Sequence, residues 1–448
     1  MIRMQGWFIA LSILITGYLS SGVMAQDRPD QWVARVVSAQ GSVQVRSTGD
    51  TTWLPAKLND AFSPGDTIRI GERSRAAIRL PNETILRLDQ NTTITFSGVE
   101  KKRTSLLDLL RGAVHFFSRT PRGLKVATPF VNGSVEGTEF FVRVEQEHTF
   151  LSIFEGRVAA ANKAGSLILA SGDSAIAEAG QAPARVTVVR PREAVQWALY
   201  YPPVLAYRPV DFPGGAETDW QAKVRKSLEF YWEGDLAGAF SGLETVSEDV
   251  RDPRFFTFRA GLLLTVGRVD DAIPDIEKAL ALDPSNSQAI ALKSVVALVQ
   301  NQKDRANDLA EKAVDLDPKS AAARVALSYA LQANFDLQGA LDSLQEATKI
   351  APENALTWAR MAEIWLSLGY LDKALEAAQK AVSLNPNLAR TQIVLGFAYL
   401  TQIKTKDAKA TFEKAIELDQ AAPLPRLGLG LARIREGNIE AGRDEIAI

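Results

Sequence analysis

The sequence predicts two domains of different class, an all-β domain followed by an α-solenoid. Two observations carry this. In the second half a proline returns every 34 residues, at Pro284, Pro318, Pro352 and Pro386, and a fixed period of that length marks a repeat array. In the first half, from 33 to about 180, short β-branched runs alternate with turn residues, the pattern of strands in a sheet with one wet face. A stretch rich in proline and aromatic residues, 181–219, separates the two textures.

The chain begins with Arg3, an apolar run from Trp7 to Leu19, and Val23-Met24-Ala25 ahead of Gln26. That order reads as a secretory signal peptide over 1–25, cleaved after Ala25. It places the mature protein in the periplasm, at the outer membrane or outside the cell. An uncleaved anchor is the alternative, because a bilayer needs roughly 20 apolar residues; Ser12, Thr16, Ser20 and Ser21 weaken it. The 448 residues are 46% hydrophobic and 23% charged, with a formal net charge of −2. This is ordinary globular composition, and with no basic stripe it argues against a nucleic-acid partner. No cysteine is present, which excludes disulfides, thiol catalysis and thiolate metal sites.

In the first domain, Ile68, Ile78, Leu86 and Ile94 recur every eight to ten residues. Such even spacing suits a sandwich, a jelly roll or a short β-solenoid. Gly65, Gly112, Gly137 and Gly156 fall where a strand would end or kink. Pro64-Gly65-Asp66, Arg111-Gly112, Val126-Ala127-Thr128-Pro129, Gly137-Thr138-Glu139-Phe140 and Glu155-Gly156-Arg157-Val158, in this order, resemble a FecR-type domain. That family is named for a periplasmic regulator of iron-citrate uptake. The resemblance implies an extracytoplasmic β-module that contacts a protein or an envelope component. In the iron-uptake regulators a cytoplasmic anti-sigma segment and a membrane helix precede this domain. Here only the leader does, so direct sigma-factor regulation does not carry over.

The connector holds Pro183, Pro191, Pro202-Pro203, Pro209 and Pro213, interleaved with Trp197, Tyr200, Tyr201 and Tyr207. Prolines make such a segment stiff and extended, with room for one short helix over 192–199. Two readings fit the aromatics: packing between the two domains, or a platform for a sugar or peptide.

The array spans 220–448. Five residues before each proline position stands Ala279, Ala313, Ala347, Ala381 or Ala415, and twelve before it Ala272, Ala306, Ala340, Ala374 or Ala408. A column that accepts only alanine is one where two helices approach closely. Each unit therefore reads as a helix, a turn, and a second helix that the proline ends. Phe256…Ala260…Gly267…Ala272…Ala279…Pro284, Trp358…Ala362…Gly369…Ala374…Ala381…Pro386 and Leu395-Gly396…Tyr399…Ala408…Phe412…Ala415 resemble tetratricopeptide repeats. Five units start near Pro253, Ser287, Ala321, Ala355 and Ala389, covering 253–422. A degenerate unit precedes them from 220, and a truncated one follows over 423–448. With no polar capping helix in sight, the chain reads as the N-terminal part of a longer protein.

The repeat resemblance implies that the first helix of each unit lines a concave groove. Projected onto this chain, that geometry puts Tyr329, Gln332, Glu363, Arg390 and Phe397 there, beside residues such as Thr257 and Gly261. The lining is mainly apolar and lacks a Lys/Asn cluster for a peptide carboxylate. An apolar or extended segment is the expected partner, with Tyr329 and Phe397 as anchors.

No catalytic constellation, metal site or cofactor motif is apparent. His115 and His148 stand isolated among strand-forming residues and read as strand positions rather than a catalytic or metal pair. The expected function is a non-enzymatic exported scaffold of the bacterial envelope. The alternatives are an extracytoplasmic signal-sensing regulator and a glycan-binding or polysaccharide-export module.

Overall fold

A computed structural model describes residues 32–100, 104–188, 190–213, 219–246 and 249–446. The predicted signal peptide lies outside them. No helix among the described residues is long and apolar enough to cross a membrane.

The first domain is built of strands β1 (Ala34–Gln40), β2 (Val43–Arg46), β3 (Leu54–Pro55), β4 (Ala61–Phe62), β5 (Thr67–Ile70), β6 (Arg75–Arg79), β7 (Ile85–Leu88), β8 (Thr93–Glu100), β9 (Thr104–Ala127), β10 (Asn132–Val144), β11 (His148–Asn162), β12 (Gly165–Ala170), β13 (Ser174–Glu178) and β14 (Ala184–Val186). They join in one branched sheet whose main path is β14-β13-β11-β10-β9-β7-β6-β1-β4. Every pairing recorded within it is antiparallel, with β2, β3, β5 and β8 forming the branch. Its apolar face is the one the spacing predicts, since Ile68, Ile78, Leu86 and Ile94 are fully buried.

β9 makes the branch point. Up to Arg111 it pairs with β8, and from Val114 it pairs with β7. The switch falls at Gly112, whose φ of 87° no other residue adopts cheaply. A Cβ there would sit 2.4 Å from the Cα of Thr92. A second irregularity, a register shift at Gly137–Glu139, bends β10 against both neighbours. There Gly156 lies against Gly137, with room for no Cβ between them.

The second domain is a run of helical hairpins. The helices are α1 (Trp220–Glu233), α2 (Leu236–Glu244), α3 (Pro253–Thr265), α4 (Val269–Leu282), α5 (Ser287–Val299), α6 (Lys303–Leu316), α7 (Ala321–Ala333), α8 (Leu337–Ile350), α9 (Ala355–Ser367), α10 (Leu371–Leu384), α11 (Ala389–Thr401), α12 (Thr405–Leu418), α13 (Pro423–Arg435) and α14 (Ile439–Ile446). All ten alanines of the two periodic columns are fully buried, which is the close helix approach their invariance predicts. Asn286, Ser320 and Asn354 cap α5, α7 and α9 through side-chain oxygens that accept from backbone N–H groups.

The array curves back on itself. Asn385, between α10 and α11, donates through Nδ2 to the carbonyl of Trp232 in α1 at 3.1 Å. The β-domain lies across the opening and holds both ends. At one end Arg73 meets Glu244 at 2.7 Å and Asp89 meets Arg268 at 2.6 Å. At the other, Gln40 donates to Asp419 at 3.2 Å, Ala39 donates to Gln420 at 3.1 Å, and Arg79 meets Asp444 at 3.2 Å. Arg426 of α13 donates to the carbonyl of Val37.

Candidate functional site

The connector divides its aromatics between the two domains. A 3-10 helix over Pro191–Ala198 packs on the sheet, where Val195 and Trp197 cluster with Ala113 and Phe141. Arg192 fastens it with a two-pronged ion pair to Glu139, both contacts 3.0 Å. Glu139 in turn accepts from His115 Nε2 at 3.1 Å. Burial pushes the His115 imidazole below its ordinary range, so the ring is neutral and its Nε2–H is the donor. The hydrogen bond from His115, aided by Arg192, lowers Glu139 to about 2. His148 sits at the start of β11 within 3.6 Å of Glu145. Among the described residues no group of His, Cys, Asp and Glu is placed to hold a metal ion.

Beyond Trp197 the chain turns into the concave side of the array. The prolines at 202 and 203 fix φ and keep it from coiling. Tyr201, Val204 and Leu205 are buried there within the core of the array. Side-chain amides of the repeats take the main chain: Gln288 donates to the carbonyl of Val204 at 3.4 Å and Asn354 to that of Leu205 at 3.5 Å. Tyr207 shares a 2.5 Å hydrogen bond with Thr257 and lies edge-on to Phe258. Gly261 leaves the space for Leu205, because a Cβ there would come within 2.9 Å of Leu205 Cδ1. Tyr200, Tyr201 and Tyr207 thus lie against the array, and Trp197 belongs to the sheet.

The groove floor beneath Tyr200 is charged. Arg360 lies 3.7 Å above the Tyr329 ring. It donates to Gln332 at 2.7 Å, to the Ser328 carbonyl at 3.0 Å and to Glu363 at 3.0 Å. Glu363 also pairs with Arg390, whose guanidinium is 5.7 Å from the Tyr200 ring. Burial alone would lower Arg390, but the Glu363 carboxylate outweighs it and raises the guanidinium well above its ordinary range. Burial lifts the Tyr200 phenol to about 12, so it stays a neutral donor. Arg360 and Arg390 thus share the Glu363 carboxylate, and Asp419 lies on the wall beside Tyr200.

Tyr329, Gln332, Glu363 and Arg390 are therefore joined in one network. Phe397 stands apart from it. Its ring meets Phe412 at 5.0 Å, in a cluster with Leu400 and Leu429 on which Leu58 of the β-domain also packs. Sequence reasoning missed Arg360, Gln288 and Asn354. Arg360 occupies a helix position held by Ala326 one unit earlier and Val394 one unit later, and a charge in such a core column was the available signal. Asn354 also caps α9, its Oδ1 accepting from the Thr357 N–H at 3.1 Å.

Spaces are left beside the connector. One of 70 Å³ lies by Tyr200, Tyr201 and Pro203. Another, of 610 Å³, lies by Leu205–Arg208, between Trp232, Leu356, Leu384 and Leu388.

Comparison with known proteins follows this division. Residues 66–159 match the FecR protein family. Three tetratricopeptide repeat families match 259–321 with 292–355, 355–388 and 389–421. No curated protein matches the chain. Among solved structures, the array is similar to the APC/C hetero-tetramer Cut9-Hcn1, at 14% identity and a TM-score of 0.45, over 52% of this chain and 46% of that one. It is also similar to a thermophilic TPR protein of Thermus thermophilus, at 22% identity and a TM-score of 0.36, over 41% of this chain and 99% of that one. A third is YrrB, a TPR protein with an unusual peptide-binding site, at 19% identity and a TM-score of 0.29, over 38% and 88%. The chain spans less than half the length of the first of these. It consists of a FecR domain followed by a tetratricopeptide array.

Proposed function

We propose that the protein is a non-enzymatic, exported scaffold of the bacterial cell envelope, and that the array groove holds an extended segment of a partner protein. One observation carries this reading. The groove already holds an extended stretch of polypeptide, taking its carbonyls with the amides of Gln288 and Asn354 and its side chains in apolar hollows. That is how a surface recognises a peptide by main chain and side chain together. The FecR and tetratricopeptide families are both associated with interaction and regulation, which supports a non-catalytic role. The leader motif of residues 1–25 supports export.

Two measurements test it. Intact mass of the chain from a periplasmic fraction should correspond to a start at Gln26; retention of residues 1–25 would favour a tethered sensor. A photo-crosslinking residue at Glu353, on the rim of the larger cavity, should capture a partner in cells. Capture no richer than from Glu311, on the exposed face of α6, would sink the scaffold reading.

A further inference from the structure

The groove is larger than the segment inside it. At the helix crossings of the repeats, alanines pack with no exposed surface. Around the connector the packing opens, and the larger space reaches 610 Å³. The space is open to the surface at its rim, and its volume lies in the range of ligand pockets. At its wall the connector presents Ala206, a small side chain between Leu205 and Tyr207. The remaining walls are mostly apolar. The charged groups at the rim are Glu353 and Arg208, the latter paired with Asp211 at 3.2 Å. The polar fittings nearby are amides directed at main-chain carbonyls, from Asn354 to Leu205 and from Asn385 to Trp232. The Asn354 amide is a fitting for polypeptide in the groove; the Asn385 amide is taken up within the array.

We propose that residues 200–207 are a resident stand-in for the partner, and that the partner presents a similar extended segment with a large apolar side chain where the connector has Ala206. The pattern is two adjacent aromatics, a Pro-Pro step, two aliphatic residues, the large side chain, and a further aromatic. The large side chain fills the 610 Å³ cavity. Being tethered, the connector competes at an effective concentration in the millimolar range. A free segment wins by what it gains in the cavity, or when the connector is loosened. This rests on the groove being the partner site.

The probe is a fluorescein-labelled synthetic peptide with the sequence of residues 199–209, made once as it stands and once with Phe in place of Ala206. Each is titrated by fluorescence anisotropy into the full chain and into its Leu205→Asp and Ala206→Phe variants. Leu205→Asp puts a charge in the apolar groove and should loosen the connector; Ala206→Phe should fill the cavity in cis. Expected is binding of the Phe peptide about tenfold tighter to Leu205→Asp than to the unaltered chain, and about tenfold weaker to Ala206→Phe. Ala206→Phe should also melt at a higher temperature, and the Phe peptide should outbind the Ala peptide. Equal binding to all three proteins, or a lower melting temperature for Ala206→Phe, overturns the proposal. If Leu205→Asp proves unfolded by circular dichroism, the two peptides on the other two proteins decide alone. Absence of a crosslinked partner in cells would remove the scaffold reading and leave this result standing, so the two failures are distinguishable.

Discussion

At Ile403 the backbone is left-handed, with φ at 62°, and the side chain is 73% exposed. The same turn recurs at Gly267, Asn301, Phe335, Gly369 and Gly437, all with positive φ. Glycine and asparagine take this conformation easily, whereas a β-branched residue is strained in it by about 1–2 kcal/mol. Ile403 recovers little through burial. Replacing Ile403 by Gly should therefore stabilise the array by about 0.5–1 kcal/mol, after deducting glycine's greater freedom when unfolded. Urea denaturation measures this, with Ile403→Val as the control that should gain nothing. A loss of stability in Ile403→Gly would mean that packing of the Ile403 side chain outweighs the backbone strain. The alanine columns were legible because each position repeats in several units and the environment repeats with it. Arg360 was not, because its partners Ser328 and Gln332 come from the preceding unit and the network occurs once.

Among the elements, the contrast between domains has one cause. Helices are set by residues three and four apart, so their bounds could be read locally. Strand pairing is long-range. β9 runs unbroken from Thr104 to Ala127, yet Arg111-Gly112 within it reads as punctuation. Sequence separates it into pieces because Gly112 marks a change of neighbouring strand rather than an end. The connector's fate was equally hidden, since its hold on the β-domain depends on Glu139, 53 residues from Arg192. That contact predicts a pH dependence. Glu139 is held at about 2, below its ordinary 4.5, so its contribution is complete above about 4.5 and is lost as pH falls toward 2. His115 is held below its ordinary 6.5; on unfolding it takes up a proton from about 6.5 downward, which also favours the unfolded state as pH falls. Both effects have the same sign. The melting temperature of the unaltered chain should fall from pH 7 to pH 3, and the deficit of Glu139→Gln relative to it should shrink over the same range. A deficit independent of pH would show that the carboxylate's charge is not what fastens the connector helix.

For the molecule as a whole, the question is what holds a curved array in one curvature. Solenoids are quasi-one-dimensional, each unit touching mainly its neighbours, so their bend is soft. Here the bond from Asn385 to Trp232 closes the curve within the array, and contacts from outside the repeats add to it. The β-domain ties α4 through Asp89 and Arg268, whose side chains are 13% and 7% exposed, and ties α13 through Val37 and Arg426. The connector leaves the sheet between these two ties and runs through the space they enclose. None of this closure follows from the repeat period, which specifies a unit and its neighbours but not which distant surface meets the ends. It makes the β-domain a determinant of groove width. Removing Arg268 strands a buried carboxylate, which costs about 3–5 kcal/mol, and removing Arg426 frees the far end. The double variant Arg268→Ala, Arg426→Ala should therefore open the molecule while the repeats up to α12 keep their own contacts; α13 and α14 also lose the Arg426–Glu445 pair, though Glu445 keeps Arg433. Small-angle scattering should report a larger radius of gyration than for the unaltered chain. Calorimetry should resolve one transition into two, as the β-domain and the array lose their coupling. Amide exchange should rise across residues 200–207 while α5 to α8 stay protected. An unchanged radius with a single transition would show that the connector and the Asn385–Trp232 contact hold the curvature, and that the β-domain rests on the array without shaping its groove.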